Sequence, residues 1–80
     1  MTCTHDLPFV VYRACDAEGR LLYVGRTNDF DQRMATHGRE KPWWPEVTIV
    51  WVLHYATLAE ADQAERVAIH LEQPEHNKVI

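Results

Sequence analysis

Five side chains able to bind an anion or move a proton stand at informative positions in the sequence. Tyr12 and Tyr23 are eleven residues apart, Arg33 and His37 are four apart, and Glu65 lies far downstream. An arginine is a planar cation that can bind two phosphate oxygens, and a histidine titrates near neutral pH. A carboxylate can hold a hard metal ion. These groups could neutralise a bound anion and transfer a proton, provided that folding brings them together.

Each of these residues also has an ordinary structural interpretation. Two tyrosines that face each other across a hairpin commonly form a packing pair. Arg33 follows Asp29 by four residues, a spacing that favours an ion pair on a helix surface. A glutamate at the edge of a helix, such as Glu65, commonly pairs with an arginine. Taken one at a time, the residues leave both interpretations open.

The first part of the chain predicts a β-hairpin. Residues 9–14 and 21–25 are rich in β-branched and aromatic side chains, and residues 16–19 between them suit a tight loop. If the two residues that flank this loop pair with each other, Tyr12 lies directly opposite Tyr23 on the same face of the sheet. A slip of one residue would separate the two rings.

A short helix is predicted after the hairpin, over residues 29–37. Asn28 or Thr27 could cap its first turn, and Gly38 follows its expected end. Within this helix the arginine and the histidine named above are four residues apart, so they lie on one face.

Two prolines in residues 41–45 predict an extended linker after this helix. Neighbouring side chains in an extended segment point opposite ways, so one of Trp43 and Trp44 would enter the core and the other would face outward. An outward Trp44 could stack on an unpaired base, and core packing is the alternative. The continuous apolar run at residues 47–55 predicts a central strand covered on both faces.

A capping box at Thr57 and Glu60 predicts a second helix, which runs to about residue 72 and stops before Pro74. Glu65 lies at the edge of its buried face, beside an apolar stripe of Leu58, Ala61, Ala64, Ala68 and Leu71. The elements predict an α+β fold in the order β-β-α-β-α, with a three-stranded antiparallel sheet flanked by helices.

The composition predicts a single domain over residues 1–80, with a flexible N-terminus at residues 1–8. No apolar run approaches the ~18 residues of a membrane span, and the start does not resemble a signal peptide, so we expect a cytoplasmic protein without a membrane partner. The two cysteines lack the spacing of a zinc site. The net charge is −4, but six of the eight basic residues lie in the first half, where a polyanion would therefore bind.

Several of these residues together resemble the GIY-YIG nuclease superfamily. The resemblance rests on Tyr12, on the sequence Tyr-Val-Gly at residues 23–25, on Arg33 and His37, on a glutamate in the next long helix, and on the sequence Pro-Glu-His-Asn at residues 74–77. It covers residues 9–77, and its specificity lies in the combination. The first motif departs from the family pattern, because a valine stands at the position of its glycine.

The resemblance implies a divalent-metal-dependent endonuclease that hydrolyses DNA. Arg33 would be the catalytic arginine and Glu65 the metal ligand. Tyr12 would be the general base, Tyr23 would orient the water or the phosphate, and His37 would be a rival base or an acid for the leaving group. A single carboxylate suits one Mg²⁺, with Mn²⁺ as a substitute, since magnesium keeps several of its waters.

The expected substrate-binding residues come from the basic half of the chain and from the predicted linker. They are Arg13, Arg26, Thr27, Arg39, Lys41 and Trp44. Arg26 and Thr27 would lie where a loop meets a helix start, a place that attracts phosphate; a solvated turn is the alternative. Gly25 and Asn77 are expected to be structural residues near the site, with the Asn77 amide tying the tail to the sheet.

Two other functional classes remain open. The chain could be a catalytically inactive relative that binds DNA or protein, or a small interaction protein that completes its core as a dimer. If it is an enzyme, a homodimer, a targeting partner or the shape of the DNA would have to select its target, because the net charge favours only weak nonspecific binding.

Overall fold

The computed structural model describes residues 7–77, which form one three-stranded antiparallel sheet with helices on both faces. The strands are β1 (Phe9–Cys15), β2 (Leu21–Thr27) and β3 (Ile49–Tyr55), and the helices are α1 (Phe30–Glu40), α2 (Leu58–Glu72) and a short 3-10 helix (Trp44–Glu46). The sheet order is β2-β1-β3. This confirms the predicted α+β fold and its β-β-α-β-α order. Most of the segment expected to be flexible, residues 1–8, lies outside the described residues.

The central strand β1 separates two differently packed faces of the sheet. Val11 and Val24 form the core with Ala61 and Ala68 of α2, and all four side chains are buried. Successive strand residues point to opposite faces, so Tyr12 lies on the other face. On that face Tyr12 contacts His37 of α1 through a hydrogen bond and a ring contact. The sheet therefore places α2 and the tyrosines on opposite sides.

The prediction that residues 47–55 form a central strand was wrong, because β3 is an edge strand. Ile49, Trp51 and Leu53 on its α2 face are 45%, 62% and 54% exposed. Helix α2 packs over β1 and β2, and a groove of about 480 Å³ lies between α2 and the sheet, with Arg13 and Tyr55 on its wall. An apolar run does not by itself reveal which strand the helix covers.

The hairpin register also differs from the prediction. Tyr12 lies opposite Gly25, and Tyr23 lies opposite Ala14. The pairing shifts after Ala14, where the strands enter the loop. In this loop the Asp16 carboxylate accepts the backbone N–H groups of Glu18 and Arg20. The two tyrosines remain on one face as diagonal neighbours, with ring centroids 6.1 Å apart.

Helix α1 begins and ends later than predicted. Its N-cap is Asp29, whose carboxylate accepts the N–H of Gln32 at 3.2 Å, in place of the expected Asn28 or Thr27. Gly38 lies inside the helix and not beyond its end. A glycine costs a helix interior only about 0.5–1 kcal/mol, so it does not have to end the helix.

The segment after α1 turns where an extended linker was predicted. Trp43 has helical backbone angles, φ −90° and ψ −2°, and the 3-10 helix follows with Pro45 in its first turn. Proline is tolerated at that position, because the first N–H groups of a helix have no partner inside it. The rings of Trp43 and Trp44 contact each other at 5.7 Å and do not point to opposite sides.

Helix α2 agrees closely with the prediction. The capping box between Thr57 and Glu60 is present, and Gln73 ends the helix in the left-handed conformation (φ 49°) just before Pro74. In the predicted apolar stripe Ala61 and Ala68 are buried. Leu58 and Leu71, at the two ends of the stripe, are exposed. Within residues 7–77, no helix has the length and apolar composition that a bilayer crossing requires.

The chain returns along the outer edge of β2 after α2. The backbone N–H of His76 donates to the carbonyl of Leu22 at 2.8 Å. The Asn77 side chain accepts the N–H of Val24 at 2.6 Å and donates to its carbonyl at 3.0 Å. These are hydrogen bonds of the kind expected of Asn77, and they leave the tail lying against β2.

Candidate active site

Three of the predicted catalytic residues meet on the α1 face of the sheet. The hydroxyl of Tyr12 lies 2.6 Å from Nε2 of His37 in a buried hydrogen bond. The Tyr23 ring packs on both, with centroids 6.1 Å from Tyr12 and 5.2 Å from His37. Phe30 closes the other side of Tyr12 edge-on, at 6.1 Å. Strand β1, strand β2 and helix α1 thus each supply part of one cluster.

Gly25 makes room for the Tyr12 ring. It is the residue directly opposite Tyr12 in the sheet, and a Cβ added there would overlap the phenol oxygen and ring. Gly25 has no positive φ, so its backbone could accept another residue. The glycine is therefore required for space and not for conformation.

Burial keeps both phenols protonated. The pKa of Tyr12 is raised, first by its burial and then by the nearby Tyr23 and Glu65, while Arg33 opposes the shift. The pKa of Tyr23 is raised by burial and by Glu65, again against Arg33. Tyr12 is 1% exposed. In the resting protein Tyr12 is consequently a hydrogen-bond donor and not a phenolate.

His37 is neutral and accepts this proton. Burial lowers its pKa, and the positive charges of Lys41 and Arg33 lower it further, with Glu40 opposing them. If Nε2 instead donated to Tyr12, the phenol proton and the Nδ1 lone pair would both lack partners among the described residues. We therefore assign Tyr12 as donor to Nε2, which places the ring hydrogen on Nδ1 and leaves one buried N–H without a described partner.

The stability of the protein is expected to fall as the pH drops below about 6.5, because His37 is buried neutral. Its folded-state pKa lies below its usual 6.5, so the unfolded chain binds more protons in that window. His37→Gln should flatten this part of the curve, measured by urea denaturation between about pH 7.5 and pH 5. His70→Gln, at an exposed histidine of α2, is the control and should leave the curve unchanged; equal curves for wild type and His37→Gln would contradict the assignment.

Arg33 is electrostatically coupled to the cluster. Its side chain is exposed and lines two adjoining clefts of about 280 Å³ each, which also share Thr27 and Asn28. Its positive charge lowers the pKa of both tyrosines, so it lies within electrostatic range of the phenols. The cleft therefore presents a guanidinium that has no ion-pair partner within residues 7–77, in electrostatic range of two protonated phenols.

Glu65 lies on α2, beside β2. Its carboxylate accepts from Nε of Arg26 at 3.5 Å, and Asp62 lies 3.7 Å from the same guanidinium. Although α2 covers the opposite face, the charge of Glu65 still raises the pKa of Tyr12 and Tyr23. Glu65 is therefore electrostatically coupled to the cluster without a direct contact.

The donors around Glu65 are compatible with a hydrated metal ion. Within the described part of the chain, no three His, Cys, Asp or Glu side chains converge as a complete protein-only site. Glu65 and Asp62 are both oxygen donors, and they already hold the Arg26 cation between them. Two carboxylates fit Mg²⁺, which keeps several waters and takes further ligands from its substrate.

The remaining predicted basic residues are dispersed. Arg13 points to the α2 face, where Glu72 accepts both of its hydrogen bonds at 3.0 and 2.8 Å, so it is not brought to the tyrosines. Arg39 is exposed and lies 3.5 Å from the hydroxyl of Thr36. Lys41 lies 5.8 Å from the centre of the Tyr23 ring. Among these three, only Lys41 adjoins the cluster.

Thr27 and Trp44 both make contacts within the protein, and only Trp44 touches the cluster. The hydroxyl of Thr27 accepts the N–H of Asp29 at 3.0 Å and so shapes the turn into α1. The Trp44 ring stacks on His37, with centroids 4.8 Å apart. Thr27 is also part of the cleft wall, as noted above for Arg33.

Sequence reasoning missed several residues that build the site. Trp43 stacks in parallel on His76 at 4.1 Å and reaches Tyr23 at 5.7 Å, which extends the aromatic cluster to the surface. Asp62 joins Glu65 in holding Arg26, and its position three residues earlier on one helix face was the available signal. No local pattern indicated the contact between Trp43 and His76, because 33 residues separate them.

Comparison with known proteins identifies the family of this chain. No individually curated protein gives a significant match. The family model described as the GIY-YIG catalytic domain matches residues 8–79, nearly the whole chain. The chain belongs to the GIY-YIG family, and its domain is of the nuclease type.

Proposed function

We propose that the protein is a divalent-metal-dependent endonuclease that hydrolyses phosphodiester bonds in DNA. The observation that carries the proposal is the buried hydrogen bond between Tyr12 and His37. The Arg33 guanidinium, which lines the two clefts, is close enough to lower the pKa of both tyrosines. A phenol that is hydrogen-bonded to a neutral imidazole can take a proton from an attacking water while it passes its own proton to the imidazole.

The proton step uses the phenol and the imidazole as one unit. The attacking water gives a proton to the Tyr12 oxygen while the original phenol proton passes to Nε2 of His37. The hydroxide adds to phosphorus as the bond to the leaving oxygen breaks, and the leaving oxygen takes up a proton from solvent. The imidazolium then returns its proton through the Tyr12 hydroxyl to solvent, which restores the resting state. Because the pKa of Tyr12 is raised and that of His37 is lowered, neither residue has to ionise in the resting state.

The phosphate would be held by arginine. Arg33 is exposed toward the cleft, and its planar guanidinium matches two oxygens of a phosphodiester. Arg26 lines the second cleft and would add a positive charge after leaving its two carboxylates. Negative charge that develops on phosphorus oxygens is stabilised most by cations fixed in advance.

Glu65, with Asp62 beside it, would hold the proposed metal ion. Mg²⁺ or Mn²⁺ there would neutralise the phosphate and favour ionisation of a bound water. Arg26 has to yield its place on these carboxylates, which are 21% and 34% exposed and so reachable from solvent.

The target is proposed to be selected by DNA shape or by a partner. The chain carries a net charge of −4, so phosphate contacts alone would bind a duplex weakly. A nick, flap or branch offers a mobile strand, which can reach a small cleft more easily than a regular duplex. Unpaired bases could stack near Trp44, whose half-buried ring lies against His37.

Cleavage of labelled branched and duplex DNA in the presence of Mg²⁺ or Mn²⁺ tests the proposal. Wild type should cut, chelation of the metal should stop cutting, and Arg33→Ala and Glu65→Ala should each slow it at least about 100-fold. Arg20→Ala and Glu18→Gln change the same residue types in the hairpin loop and should cut normally. Binding without cleavage by wild type would refute the enzyme and leave a DNA-binding module.

A further inference from the structure

The free edge of β3 stands out because no described strand covers it. β3 pairs only with β1 within residues 7–77. Natural sheets protect such edges with charges, prolines or bulges. Residues 47–59 contain no acidic, lysine, arginine or proline residue, although 25% of the chain is charged. The edge therefore lacks the usual protection against pairing with another strand.

One apolar row accompanies this edge. Ile49, Trp51 and Leu53 alternate along β3 on the same side of the sheet as α2. The helix does not cover them, and they are 45%, 62% and 54% exposed. A tryptophan side chain can bury up to ~250 Å², so Trp51 alone offers ~150 Å². The exposed surface of this row and of the strand backbone, summed over two copies, approaches the ~1,000 Å² of buried area at which specific interfaces begin.

We propose that β3 pairs antiparallel with β3 of a second copy of this chain, about a two-fold axis at Val52. This register is centred on the strand and pairs all seven of its residues. It places Trp51 opposite Leu53, Val50 opposite His54 and Ile49 opposite Tyr55, so that each exposed apolar residue meets another apolar residue. The next charged residue, Glu46, falls opposite Leu58, so no like charges face each other.

A second copy fits this edge better than a charged partner. An uncharged strip offers no ion pair to an acidic or basic strand, whereas an identical strip places an apolar residue opposite each exposed apolar residue. Acidic residues outnumber basic ones by six to two in residues 43–80, yet none lies within the paired segment. The pairing therefore joins the two copies through β3, the part of residues 43–80 that carries no formal charge.

The pairing creates a six-stranded sheet, β2-β1-β3-β3-β1-β2. A two-fold axis perpendicular to a sheet keeps each face on its own side, so both Tyr12 clusters face the same way. Tyr12 is level with Val52 in the register, and three strand spacings separate the two β1 strands by ~14 Å. If the proposed nuclease function holds, one DNA molecule could then contact two sites at once.

Sedimentation over the micromolar range tests the association without any activity assay. Wild type should dimerise, and Leu53→Lys should weaken the dimer at least about 30-fold, because the change occurs twice in the interface. Leu71→Lys is the matched control, since Leu71 is also exposed (73%) but lies near the end of α2, outside the paired strand. It should dimerise like wild type, and circular dichroism should show both variants folded.

A disulfide tests the register. In a Cys3→Ser background, oxidised Val52→Cys should form a covalent dimer, because residues directly opposite in a sheet lie within disulfide reach. Ala59→Cys lies beyond the paired segment and should not cross-link. Equal cross-linking of the two cysteine variants would overturn the proposal, and so would equal weakening by Leu53→Lys and Leu71→Lys. A wild-type monomer throughout would also overturn it, and the open edge would then be expected to pair with a different protein. Dimerisation without DNA cleavage would refute only the nuclease function.

Discussion

Gly25→Ala is expected to abolish activity and to destabilise the fold by about 1–3 kcal/mol, the cost of an overpacked site. The added methyl group would occupy the position of the Tyr12 phenol. In most strands alanine is the better residue, because glycine loses more conformational freedom on folding. A destabilising effect would therefore isolate the steric conflict, which can be relieved only by moving Tyr12 away from His37.

Gly38→Ala provides the matched comparison. Gly38 lies in α1, where the nearest atom to an added Cβ is 4.0 Å away, on Trp44. This change should stabilise the protein by about 0.5–1 kcal/mol and leave cleavage intact. Urea denaturation and the cleavage assay measure both quantities. If Gly25→Ala were as stable and as active as Gly38→Ala, the close packing of Tyr12 over the glycine would not matter to the site.

Tyr12→Phe is expected to reduce kcat by roughly 10²–10⁴-fold with little change in KM, since it removes proton transfer and keeps the ring. The aromatic contacts with Tyr23 and Phe30 do not need the hydroxyl. Tyr55→Phe is the control, because Tyr55 lies in β3 on the α2 face and packs against the core there.

The partnership with His37 can be separated from the effect of Tyr12 alone. If the two residues act as one unit, His37→Gln should cost nearly as much as Tyr12→Phe, and the double variant should be no slower than the slower single variant. The wild-type rate should also fall on the acid side of about pH 6.5, because the pKa of His37 is lowered and only neutral His37 accepts a proton. Fully additive losses, or a rate that rises as the pH falls, would show that Tyr12 works without His37.

Local signals in the sequence predicted the elements well. Thr57 and Glu60 interact across three residues, so the start of α2 could be predicted from the residues at that position. The hairpin and the order of the elements followed from short patterns for the same reason. The combination of Tyr12, Arg33 and His37 also led to the family that the comparison then identified.

Features set by long-range packing were predicted less well. The hairpin register depends on the conformation of the loop, in which Asp16 accepts the backbone N–H of Arg20. The resulting pairing places Gly25, not Tyr23, opposite Tyr12. The position of β3 in the sheet depends on which strands α2 covers, and the strand's own residues do not record it. The attachment of Arg26 to Glu65 joins residues 39 positions apart, which no periodicity connects.

The tail that returns along β2 limits how far the sheet can extend. With Asn77 bonded to both backbone groups of Val24, and His76 donating to Leu22, the outer side of β2 is already occupied by the chain itself. A sheet with two open sides could add copies without end and grow into a fibre. Within residues 7–77 only the β3 side of the sheet is open, so pairing as proposed above would stop at a closed dimer and would not continue into a polymer. Trimming the tail before Glu75 would remove these hydrogen bonds and open the second side of the sheet.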